Sequence, residues 1–106
     1  MVSKMASKTV SNLPSSAPVR FVHYLELKAL SGQTQVPPFL LECKVRLEQF
    51  SACASVLILK NKVQLEVFLL QSLWTAEIPI LEWGKLAGSR LEGWKISEWS
   101  FEVLEG

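Results

Sequence analysis

The side chains best suited to chemistry in this sequence are few: one histidine, His23, two cysteines, Cys43 and Cys53, and ten glutamates with no aspartate. His23 could serve as a general base or a metal ligand, but either role needs a nucleophile, a carboxylate or further ligands beside it. The two cysteines are the only soft partners on offer, and their separation fits neither a zinc pattern nor a Cys-x-x-Cys redox pair. His23 therefore reads as a hydrogen-bonded strand residue, Cys43 as a small core hydrophobe and Cys53 as an accessible thiol in a loop. The lack of aspartate removes calcium loops and aspartate dyads. The glutamates alternate with apolar residues, as solvated faces do, and neither a glycine-rich phosphate loop nor a nucleophile elbow is present. The expectation is a chain that is not an enzyme and carries no metal or cofactor. The enzymatic alternative, a lyase-like barrel with His23 and a glutamate facing a cavity, requires a pocket that no spacing predicts.

Four tryptophans, Trp74, Trp83, Trp94 and Trp99, lie in the last third of the chain. Tryptophan is enriched in interface hot spots, and a small domain also needs bulky core residues. Trp83 and Trp94, each near a glycine and a lysine, are the two selected as exposed candidates.

The elements that must position these residues follow from the patterning. Of 106 residues, 49% are hydrophobic and 20% charged, enough apolar content for one core and too little length for two. Residues 1–18 hold five serines, Pro14 and Pro18 with no apolar period, and read as a disordered N-terminal tail. Residues 19–106 read as one β-rich domain. In the stretch from Val19, Phe21, Leu25, Leu27 and Ala29 alternate with Arg20, Glu26 and Lys28, as in a half-buried strand. Ser31 to Pro38 is a turn. Phe39, Leu41, Cys43, Val45 and Leu47 then alternate with charged residues and predict a second strand. Val56–Leu59 and Val63–Leu70 predict a hairpin turning at Lys60-Asn61-Lys62. Glu77–Gly88 has a rough helical spacing limited by Pro79 and Gly84, and Trp94–Leu104 returns to extended character. The fold expected is a mostly β, five-stranded antiparallel barrel or sandwich with one short helix before the last strand.

Eleven basic against ten acidic residues leave no field that would steer a polyanion. No apolar run approaches the roughly 20 residues of a membrane span. The start lacks an apolar secretory core, which predicts a cytoplasmic protein. These exclusions favour a non-catalytic protein-interaction or assembly domain, self-associating as a homodimer. Phe68 and Leu70, taken as a surplus apolar face, join Trp83 and Trp94 as its interaction candidates. The alternative is a small OB-like or SH3-like barrel that binds single-stranded nucleic acid, with Arg20, Lys28, Lys44, Arg46, Lys60, Lys62 and Lys95 on phosphates and a tryptophan stacking on bases. That reading gains if the basic residues converge on one face.

Overall fold

The computed structural model describes residues 17–79, 81–82 and 91–106. Its elements in chain order are β1 (Phe21–Ala29), α1 (Pro38–Leu47), β2 (Cys53–Lys60), β3 (Val67–Trp74) and β4 (Trp94–Glu102). The four strands make one antiparallel sheet in the order β2-β3-β1-β4. Since β3 lies between β1 and β2, the helix joins two parallel strands across an inserted neighbour, the split β-α-β arrangement. β4, the next strand after β3 among the described residues, lies beyond β1 at the far edge.

The sheet is open, with β2 and β4 as its edges, so the described architecture is a four-stranded sheet with one helix and not a closed five-stranded barrel. The difference lies in Pro38–Leu47, which is helix where alternation predicts strand. The segment satisfies both periods. Its buried residues are Phe39, Leu40, Cys43 and Leu47, a helical stripe, and Leu40, which spoils the strand pattern, is fully buried. Pro37 precedes the helix in extended conformation and Pro38 occupies its first turn, where a missing N–H costs nothing. Lys44 and Arg46 in the last turn oppose the partial negative charge of the C-terminal carbonyls. The short helix expected at Glu77–Gly88 falls largely on residue 80 and residues 83–90, outside the described residues, as does Trp83.

The hairpin is present with a longer turn than expected. Asn61 Oδ1 accepts from the backbone N–H groups of Val63 and Gln64, both at 2.8 Å, and this side-chain turn delays β3 until Val67. Val63 and Leu65 consequently lie exposed in the loop.

Helix α1 packs on β2 and β3. The core beneath it takes Leu25 and Leu27 from β1, Val56 from β2, and Phe68, Leu70 and Trp74 from β3, with Phe39, Leu40, Cys43 and Leu47 from the helix. Ile78, Leu81, Leu91 and Trp94 pack on its flank. Two glycines in the left-handed region set the loops. Gly93, at φ 85°, immediately precedes β4, and its carbonyl accepts the Leu30 N–H at 2.8 Å. A Cβ there would meet nothing within 4 Å, so the cost of a side chain is conformational only. Gly93→Ala is expected to lower stability by about 1–2 kcal/mol, measured by urea unfolding with an unchanged slope.

Candidate functional site

Strand alternation gives the sheet two faces of different character. One carries His23, Leu25, Leu27 and Ala29 from β1 with Phe68, Leu70, Ser72 and Trp74 from β3, all buried on the helix side. The register places the intervening residues on the opposite face. There Val22 is flanked by Leu73 and Phe101, Tyr24 by Gln71 and Trp99, and Glu26 by Leu69 and Ser97. On β2, Leu57 and Leu59 stand opposite Gln71 and Leu69.

This second face has no element packed over it among the described residues. Leu57 is 50% exposed, Trp99 44% and Phe101 55%, while Val22, Tyr24, Leu69 and Leu73 are half-buried by their sheet neighbours alone. Contacts within the face hold its aromatics in place. Tyr24 and Phe101 meet edge to face at 5.9 Å, and Gln71 Nε2 donates to the Tyr24 hydroxyl at 3.0 Å. At one end Lys28 stands directly across from Lys95, a like-charge pair on neighbouring strands. Contiguous exposed apolar surface of this kind marks interaction sites in soluble domains.

Of the residues selected from sequence, Trp83 lies outside the described residues and Phe68, Leu70 and Trp94 fall elsewhere. Phe68 and Leu70 point under α1 and are 2% and 0% exposed, so neither is open to a partner. Their neighbours Leu69 and Leu73, one register step away, are the β3 residues on the open face. Trp94 is half-buried against the core, its ring meeting Phe68 at 6.1 Å. Trp99 and Phe101 were legible as one face of an extended segment, but nothing local to β4 says whether a helix covers that face. The basic residues divide: Lys28 and Lys95 share the open face, Lys60 lies on the helix side of β2, and Lys44 and Arg46 are on α1.

The chemistry-bearing side chains are built into the packing. His23 is 2% exposed, and its Nε2 lies 2.7 Å from Glu98 Oε2. Ser72 sits across from His23 on β3, so serine, histidine and carboxylate occupy three adjacent strands. Ser72 is fully buried, however, and its Oγ accepts the Trp74 indole N–H at 2.8 Å, which assigns it to anchoring the tryptophan. Cys43 and Cys53 are both free thiols, Cys43 buried and Cys53 half-buried at the start of β2. Burial pushes the Cys53 thiol above its ordinary range, and the nearby Glu48 carboxylate adds to the effect. Because the thiolate is the nucleophile, the raised pKa leaves less of it at any pH below the titration. Alkylation of Cys53 by iodoacetamide is expected to be slower than that of free cysteine near about pH 8, its rate profile displaced to higher pH. A profile coinciding with free cysteine would show that the thiol is not shielded.

No known family, curated protein or solved structure matches the chain.

Proposed function

We propose that this chain is a non-catalytic protein-interaction domain that self-associates through the open face of its sheet. The observation that carries the reading is the apolar face of Val22, Tyr24, Leu57, Leu69, Leu73, Trp99 and Phe101, which no described element covers. Four strands at about 4.8 Å spacing and about 3.3 Å per residue give this face about 500 Å² in projection, before side-chain relief is added. A standard stable interface takes about 800 Å² of accessible surface from each partner, so the face is of the right order for a dimer. Two such sheets stack about 10 Å apart with their inner side chains interdigitated, and a two-fold axis lets one patch complement itself. The two free thiols suit a reducing compartment, and the cytoplasm is the setting proposed. Size-exclusion chromatography with light scattering tests the reading directly. A concentration-dependent dimer is the expected result, and a monomer at every attainable concentration would end it.

A second reading, a platform for single-stranded nucleic acid, has one observation in its favour. Tyr24, Trp99 and Phe101 lie on an open four-stranded sheet, with Lys28 and Lys95 side by side at its end. Aromatics on such a sheet stack bases, and an anion would relieve the lysine pair. Leu57, Leu59, Leu69, Leu73 and Val22 on the same face favour protein over nucleotide. Salt-sensitive quenching of tryptophan fluorescence by a single-stranded oligonucleotide, in a protein that remains monomeric, would reverse that order.

A further inference from the structure

We infer that the outer edge of β2, with the groove between it and α1, takes up an extended peptide strand from another protein by addition to the sheet. The inference stands apart from the open face: it concerns the sheet's edge and the opposite, helix-bearing side. β2 pairs only with β3 among the described residues, so one row of its backbone groups points away from the sheet. The parity of that row is fixed by the hairpin end, where the Asn61 N–H bonds the Val67 carbonyl at 3.0 Å. Counting back by twos, Leu59 and Leu57 are hydrogen-bonded to β3, and Ile58 and Val56 direct their N–H and C=O groups outward. Those groups present donor and acceptor at the spacing an incoming strand matches.

Beside this edge lies a groove of about 600 Å³ whose apolar lining includes Val36, Leu41, Ile58 and Phe68, with the Lys60 side chain lying over the Phe68 ring. Leu41 and the next residue on its helix face, Val45, are 51% and 55% exposed, a pair of apolar side chains on α1 that the core does not use. Edge strands that must stay single are protected by proline, by bulges or by inward charges. From Val56 to Leu59 β2 has none of these: its one irregularity is at Cys53/Ser55 and its lysine is at the far end.

The occupant is a single extended chain and not the β2 of a second copy. A second copy would arrive with the helix-side residues of its β2, Val56 and Ile58, already packed under its own α1, and would leave both grooves unfilled. A lone strand has free side chains on both faces, the alternate ones dropping into the groove. Lys62 lies exposed in the turn at one end, beside Lys60, whose ammonium donates to the Thr34 carbonyl at 2.8 Å, and their positive charge there complements an acidic flank.

The test uses the full chain and an acetylated, amidated peptide of repeating Val-Thr flanked by glutamates, followed by amide hydrogen exchange. The expected result is slowed exchange at Val56 and Ile58, with binding weakened about tenfold or more by N-methylation of alternate peptide amides or by Leu41→Lys in the protein. Leu41 is exposed, and an unchanged circular dichroism spectrum would confirm that the variant folds. The inference is overturned if saturating peptide leaves Val56 and Ile58 unprotected, or if the N-methylated peptide binds equally well, which would reveal apolar adsorption. Concentration-dependent protection of the same amides without peptide would assign the edge to a second copy and equally reject it. Dimerisation through the open face leaves these readouts untouched, so either proposal can fail alone.

Discussion

Trp74→Ala is expected to cost about 3–5 kcal/mol, a large fraction of the roughly 5–15 kcal/mol that holds a domain of this size. The indole is fully buried at the end of β3, where Phe50 packs against it at 5.7 Å and its N–H is bonded to Ser72 Oγ. Removing it deletes the largest side chain of the core and leaves a buried hydroxyl without its donor, two penalties that add. Trp74→Phe separates them, since it keeps most of the volume and loses the hydrogen bond, and should cost visibly less. Chemical denaturation of both variants, read by far-ultraviolet circular dichroism, checks the ranking. A Trp74→Ala loss below about 1 kcal/mol, the range of a surface change, would contradict the packing described.

The second large effect concerns association. Phe101→Glu combined with Leu57→Glu places a carboxylate on an edge strand at either side of the open face. In a face-to-face dimer these charges would be buried without partners, at a cost of several kcal/mol, enough to raise the dimer dissociation constant by about a thousandfold or more. In the monomer both positions are half-exposed or more, so the main expected loss is the aromatic contact with Tyr24, about 0.5–1.5 kcal/mol. The expected result is a folded monomer at concentrations where the unaltered chain is dimeric. If light scattering gives the same mass for both, the open face is not the interface. Phe68→Glu distinguishes accessible from buried positions on the same sheet: at 2% exposure it should unfold the chain instead of dissociating it.

The contrast between Phe68 and Leu69 shows where sequence ran out. The alternation in β1 and the existence of two apolar faces on β3 were both legible, because a strand's period of two needs no outside information. Which face becomes the core is decided by the helix, and Pro38–Leu47 has an apolar stripe under either period, with Phe39, Cys43 and Leu47 common to both. The signs that favour helix are Leu40 on the wrong side for a strand, the Pro37-Pro38 pair fitting a first turn, and Lys44 and Arg46 near its end. Without the helix, the pattern of β3 points to Phe68 and Leu70 as the surplus face, one residue out of step with Leu69 and Leu73. Asn61 was recognised as a turn residue, and its side-chain bonds to two amides explain why the turn ran past Lys62. Its place beside Gly93 and Lys95 makes Trp94 an exposed candidate in the sequence, but its ring is half-buried against Phe68 and the core flank. The His23–Glu98 pair joins residues 75 positions apart, a proximity that only the strand order creates.

That strand order also governs how the molecule comes to exist. β1 comes first among the described strands, yet its neighbours are β3 and β4, with Phe21 aligned to Trp74 on one side and to Glu102 on the other. Pairings so distant along the chain require large loops to close before any contact repays them, which places folding in the slower, milliseconds-to-seconds regime of non-local topologies. During synthesis the β2-β3 hairpin can form locally, while Leu25 and Leu27 of β1 lack their cross-strand neighbours until β3, and on the other side β4, have left the ribosome. The first of the described strands in the chain is thus among the last to be enclosed, and its apolar face is open to aggregation or chaperone capture in the interval.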